Sequence, residues 1–128
     1  MLTISIIIPV YKVEAYIEEC LASVVAQSDA KANIECIIVD DCSPDGSMDI
    51  VRRFVDNYQG AVQHRTPRYE VNRGISAARN TGVDAATGDI VYFIDYEDYL
   101  MEHVLKTLVD GLLSNPDADV LQGNVLFL

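Results

Sequence analysis

Three carboxylates fall within four residues at Asp95-Tyr96-Glu97-Asp98, directly after the apolar run Ile90-Val91-Tyr92-Phe93-Ile94. Like charges this close repel one another, and a fold has little reason to gather them for stability alone. A divalent cation would remove that repulsion, and hard carboxylate oxygens suit magnesium or manganese. Asp98 also fits a plainer role, as an acid at the start of a helix expected near Leu100. Asp95 does not, because it continues the strand. Buried strands of open α/β sheets hold ligands beyond their carboxyl ends. The chemistry suggested is therefore a metal-dependent nucleotide site.

A second group, Asp40-Asp41-Cys42-Ser43-Pro44-Asp45-Gly46-Ser47, follows another apolar run. Acids at a strand's end can accept hydrogen bonds from a base or a ribose. A helix starting near Ser47 would add backbone amide donors. Asp41, Ser43 and Asp45 are equally ordinary turn and cap residues, and that alternative stays open. Pro9-Val10-Tyr11 ends the first apolar run on the same edge, where Tyr11 could stack on a base or pack against the next helix. Arg73 and Arg79 flank Gly74 and the small-residue segment Ile75-Ser76-Ala77-Ala78. Guanidinium groups suit diphosphate oxygens. Surface ion pairs explain Arg65, Arg68 and Arg73 as well, whereas Arg79 sits among small apolar residues and is expected to have a buried partner. His64 and His103 have no partner spacing and read as structural or surface residues.

The elements that must position these groups alternate along the chain. Ile4 to Pro9 is a β-branched run suited to a strand buried on both faces, with Pro9 stopping it. Ala15 to Gln27 carries a helical stripe of Tyr16, Ile17, Cys20, Leu21, Val24 and Val25. A strand over Ile34 to Asp40 and a helix over Met48 to Tyr58 follow. A short strand at Ala61 to Gln63 and a polar loop from His64 to Arg73 come next. The pattern then gives a helix from Ile75 to Ala86, a strand from Ile90 to Ile94 and a helix from Met101 to Leu113. Ala118 to Leu128 reads as a last strand. Alternating strands and helices with right-handed crossovers predict an α/β fold: three layers, α/β/α, around a mostly parallel doubly wound sheet.

The chain has 128 residues, enough for one domain with a real core. Its net charge of −11 excludes nucleic acid as a partner, since a phosphate backbone demands a basic face. Cys20, Cys36 and Cys42 are odd in number and lack zinc-site spacing, as expected of reduced cytosolic thiols. The apolar run at the start is far shorter than the roughly 20 residues of a membrane span, and no signal peptide is visible. The apolar ending Val125-Leu126-Phe127-Leu128 fits a chain cut within a larger protein, or a tail that pairs with a partner.

Taken together, Ser5-Ile6-Ile7-Ile8-Pro9-Val10-Tyr11, Ile37-Ile38-Val39-Asp40-Asp41, Asn72 to Asn80 and Gly88 to Leu100 resemble the family 2 glycosyltransferases. These are inverting, nucleotide-sugar-dependent enzymes with the Rossmann-like GT-A fold. The resemblance implies that residues 1–128 form one nucleotide-sugar-binding domain, cut short before the acceptor-binding half. It implies that Pro9, Tyr11 and Glu14 cradle the nucleoside and that Asp41 reads the N–H of uracil. Asn72, Gly74 and Arg79 would contact the nucleotide. Asp95 and Glu97 would meet the ribose and a diphosphate-bound Mn2+ or Mg2+. The family's usual run is Asp-Ser-Asp-Asp. Here Tyr96 adds bulk beside the sugar, and Glu97 reaches one methylene further than aspartate.

The implied activity is transfer of a sugar from a UDP-sugar to a saccharide or lipid-linked acceptor in bacterial surface polysaccharide synthesis. The location would be cytoplasmic, at the inner face of the membrane, with peripheral membrane association and a homodimer both open. The catalytic general base is expected beyond Leu128, so these residues alone would hold the donor without efficient transfer. A non-catalytic nucleotide-sugar-binding module of the same fold is the alternative. A receiver-type signalling domain is more remote: its acid pair should follow the first strand, and Lys106 lies inside a helix pattern. A dinucleotide-binding module fails because Pro9-Val10-Tyr11-Lys12 stands where G-x-G-x-x-G is required.

Overall fold

The computed structural model describes residues 1–95, 98–115 and 117. Eight elements alternate along them: β1 (Thr3–Val10), α1 (Ile17–Val25), β2 (Asn33–Asp40), α2 (Ser47–Asn57), β3 (Gln63–Arg65), α3 (Ile75–Ala85), β4 (Ile90–Phe93) and α4 (Val104–Ser114). The strands form one sheet in the order β3-β2-β1-β4, and every pairing is parallel. The chain winds outward from β1 through β2 to β3, then crosses back to place β4 on the other side of β1. The winding reverses between β1 and β4, which is where doubly wound folds open a ligand crevice.

Alternation along β1 and β2 divides the core. Ile4, Ile6, Ile8 and Val10 of β1 join Ile34, Cys36 and Ile38 of β2 on one face, under α1, α2 and α4. Ile7, Ile37 and Val39 form the opposite face with Ala78 of α3. Both faces of these two strands are covered, so their sequences are continuously apolar rather than alternating. α3 lies close to the sheet because Gly82 has no side chain. A Cβ there would stand 2.3 Å from Cγ2 of Ile7.

One carboxylate interrupts the apolar strands. Glu35 of β2 is 3% exposed. It accepts hydrogen bonds from Ser5 Oγ at 2.5 Å, Thr87 N at 2.7 Å, Thr87 Oγ1 at 2.8 Å and Arg65 Nη2 at 2.5 Å. These bonds join β1, β2, β3 and the α3–β4 turn. Burial pushes the carboxyl upward, but the bonds from Ser5, Thr87 and Arg65 outweigh it and bring the pKa to about 2. Ser5 Oγ also accepts from Gly88 N at 2.9 Å. A Cβ at Gly88 would lie 2.8 Å from Thr3 O and 2.9 Å from Ser5 N, both backbone atoms of β1 that cannot yield. Gly88→Ala is expected to lose about 2 kcal/mol of stability. A urea midpoint equal to that of the parent would show that this turn has room to spare.

Three boundaries differ from the sequence reading. Pro9 does not stop β1, which runs through it to Val10 and pairs Pro9 with Val39. Leu2 O and Val10 O accept from β2 and the residue that follows it, while Thr3 O and Ile7 O accept from Asp89 and Ile94 beside β4. Odd positions of β1 therefore face β4, and by Pro9 the strand β4 has already ended. The missing N–H of Pro9 falls where no ladder partner exists.

The third strand lies at Gln63–Arg65, not Ala61 to Gln63, so part of the expected polar loop is a short edge strand. α4 starts at Val104 rather than Met101 because His103 adopts a left-handed conformation, φ 63°, that a helix cannot pass through. The buried Gln27 side chain holds this entry, donating to Met101 O at 2.9 Å and accepting from Leu105 N at 3.2 Å. The strand expected over Ala118 to Leu128 lies outside the described residues.

Candidate functional site

β1 and β2 both end at the carboxyl edge, and the residues after them meet the turn that leads into α3. A cavity of about 430 Å³ opens there, lined by Pro9, Tyr11, Lys12, Asp41, Asn72, Gly74 and Ile75. Five of the residues singled out in the sequence are thus brought to one cavity. Lys12 and Ile75 line it as well and were not anticipated. Lys12 Nζ sits 5.3 Å from the centre of the Tyr11 ring, placing a cation against this wall. A larger hollow of about 500 Å³, lined by residues including Glu18, Arg53, Phe54 and Tyr58, is built from α1, α2 and Tyr58 and lies outside this edge.

Asp41 is 3% exposed. Its carboxylate accepts from Arg73 N at 2.6 Å, Gly74 N at 3.0 Å and Asn72 Nδ2 at 3.1 Å. Its own N–H donates to Val10 O at 3.0 Å. Gly74 has φ 90° and ψ 166°, a region that glycine alone occupies readily, and its carbonyl accepts from Ala78 N at 3.1 Å. The first turn of α3 therefore opens beside the cavity, where its positive end favours an anion.

The second helix entry is arranged differently. Gly46 N donates to Glu14 Oε2 at 2.9 Å, and Ser47 N donates to Asp45 Oδ1 at 3.0 Å. Side chains of the chain itself take the amides expected to greet a ligand near Ser47, and Ser43 and Asp45 are turn and cap residues. Burial raises the Asp45 carboxyl, but bonds from Ser43 and Ser47 prevail and hold it below the usual carboxylate range. Glu14 caps this helix and is not among the residues that line the cavity. Cys42, at φ 57°, lies on the turn between β2 and α2.

At the end of β4, Arg79 of α3 pairs through Nη2 with Asp95 Oδ1. The buried partner expected for Arg79 is instead this exposed carboxylate, the two side chains being 39% and 58% exposed. The Arg79 guanidinium also lies 5.8 Å from the centre of the Phe93 ring. Arg73 stacks 4.7 Å over the ring of Tyr69, a residue the sequence did not single out. Tyr69 donates through its hydroxyl to Ala77 O at 2.6 Å, tying the loop after β3 to α3. A lone tyrosine within a polar, arginine-rich segment was the available signal.

Among the described residues no three acids, histidines or cysteines gather as a metal cluster. Asp95 presents one carboxylate oxygen to Arg79 and keeps the other, a hard donor that fits Mg2+ or Mn2+. Glu97, the other expected ligand, lies outside the described residues. Neither histidine joins the site: His103 contacts Asp29, and His64 packs against Phe54 and Tyr58. The thiols are free, and burial pushes the Cys20 thiol up to about 12.

A parallel sheet with its acids at the carboxyl edge is common to many nucleotide-binding folds, so likeness to known proteins decides among them. The model of glycosyl transferase family 2 matches residues 5–127. The chain belongs to this family. With that, the receiver-type alternative ends. Among the family's members, the glycosyltransferase GlyA of Streptococcus pneumoniae is 37% identical over 122 residues, which cover 94% of this chain and 16% of that protein.

TarS of Staphylococcus aureus, a poly(ribitol-phosphate) β-N-acetylglucosaminyltransferase, has been solved with UDP-GlcNAc. That structure superposes with a TM-score of 0.79 at 30% identity, over 89% of this chain and 32% of that one. A mannosyltransferase from Pyrobaculum calidifontis, in complex with GDP-Man and Mn2+, gives 0.78 at 28% identity, over 85% and 32%. The GT-A fold is therefore shown, and this family 2 chain spans well under half the length of these relatives.

Proposed function

We propose that this chain is the donor-binding part of an inverting glycosyltransferase that takes a UDP-sugar. The observation that carries the reading is the convergence of Pro9, Tyr11, Asp41, Asn72 and Gly74 on one cavity at the carboxyl edge. Tyr11 offers a ring face for a base. Asp41 keeps one acceptor position beyond the three occupied by the turn, enough for the N–H of uracil. The amide end of α3 and Arg79 offset the charge of a diphosphate in a chain that is otherwise strongly acidic.

Asp95, with Glu97, would hold Mn2+ or Mg2+, which when bound supplies positive charge to the departing diphosphate. The acceptor hydroxyl would displace UDP directly at the anomeric carbon. Its proton would pass to a carboxylate base that is not assigned among the described residues. The acceptor class is a saccharide or lipid-linked polymer of the bacterial surface, a reading supported by the polymer named for TarS. A cytoplasmic position facing the membrane belongs to the same proposal.

Isothermal titration of this chain with UDP, with and without manganese, tests the donor assignment, with ADP, CDP and GDP as controls. Selective UDP binding that strengthens with manganese is expected. Equal affinity for all four nucleotides, or none in a folded sample, would overturn it.

A further inference from the structure

We infer that Asp41 is a positioning residue: its carboxylate assembles the Asn72-Arg73-Gly74 turn, so that one wall of the donor cavity exists before any donor arrives. This rests on the reading of the cavity as a UDP site, and it goes beyond the direct contact with uracil given to Asp41 there.

An ionised carboxylate offers about four acceptor positions. Three of those on Asp41 are filled by the turn, two by consecutive backbone amides and one by the Asn72 side chain. The backbone carbonyl of Asp41 also accepts from Asn72 Nδ2, at 3.3 Å. Both acceptors around Asn72 Nδ2 are thus oxygens of one residue, which leaves the Asn72 amide a single orientation and turns its oxygen away from Asp41.

Asp41 is itself fixed, since it follows β2 directly and donates to Val10 O at the end of β1. The carboxylate is buried while Asn72 and Arg73 are exposed, so an otherwise solvent-facing turn is held from beneath by a fixed anchor. Gly74 sits at the junction in a conformation costly for any other residue. An added Cβ there would meet nothing within 4 Å, so Gly74→Ala disturbs this turn through backbone conformation alone and leaves the carboxylate in place.

Two measurements test this. In the nucleotide-free chain, hydrogen exchange at the Arg73 and Gly74 amides should be slow, and should speed up on the order of tenfold or more in Asp41→Ala. Protection of the β1 and β2 amides should persist, showing that the variant is folded. Unprotected Arg73 and Gly74 amides in the parent would overturn the inference, whatever the cavity binds.

The second measurement is a double-mutant cycle on UDP affinity with Asp41→Ala and Gly74→Ala. If Asp41 acts through the turn, each single change weakens binding roughly tenfold to a hundredfold and the pair is little worse than the weaker single variant. If the two losses multiply, Asp41 acts by direct contact alone and the positioning role is refuted. A general loss of stability would not give this pattern, because it would not saturate at the turn. Should the parent not bind UDP at all, the donor reading fails while the exchange experiment still decides the anchoring.

Discussion

Glu35→Ala should cost about 3 kcal/mol of folding stability at neutral pH, the largest single loss expected of a side chain far from the cavity. Ser5 Oγ and the Thr87 amide would lose a charged acceptor. The Arg65 link contributes less, because that side chain is 43% exposed and can return to water. The pH dependence has a defined direction. The folded carboxyl is lowered from 4.5 to about 2, so its contribution is complete above the ordinary value and is lost as pH falls through the folded one. Urea midpoints of the parent and of Glu35→Ala should therefore converge on acidification from neutral pH to about pH 3. A gap that stayed constant would mean that side-chain packing, not the charge, is what the strand requires.

Asp95→Ala carries the other large effect, on binding. Asp95 stands just past β4 with one oxygen on Arg79, exposed and able to take a second cation. Its removal should abolish the manganese-dependent gain in UDP affinity, a loss of about a hundredfold or roughly 3 kcal/mol. The metal-free affinity should fall much less. Arg79→Gln should do the reverse, weakening UDP binding without manganese on the order of tenfold through loss of a charge-assisted partner for the diphosphate. If manganese enhanced UDP binding to Asp95→Ala as strongly as to the parent, the metal would have to be held elsewhere.

The parts of this fold that could be read from the sequence are those where one local pattern suffices. β1 and β2 are largely apolar runs because both their faces are covered, and the acids that close β2 mark the carboxyl edge. β3 escapes a local reading because Gln63-His64-Arg65 has no apolar pattern of its own and is a strand only through its pairing with β2. The start of α4 escapes it too, because nothing local announces a left-handed His103.

At the site, Tyr11 and Asp41 could be singled out by type and position, whereas Pro9, Asn72 and Gly74 take a nucleotide-binding role only from the resemblance to family 2. That Asp41 holds the turn 31 to 33 residues further on could not be read in either way, since the contact exists only after the sheet has formed. Glu35 was within reach: a carboxylate inside Ile34-Glu35-Cys36-Ile37-Ile38 must find partners or break the strand.

Pro9 has a meaning beyond strand geometry. It lines the cavity at the carboxyl end of β1, and its nitrogen lies on the side of that strand that β4 has left. Any other residue there would carry an N–H that β4 no longer reaches, a donor that must be matched by water or by whatever lies beside it. Proline makes that wall mute. On the proposed donor reading, a ligand lying along it would be sorted there by contour rather than by polarity, and the task of telling one base from another would pass to Asp41 and Asn72.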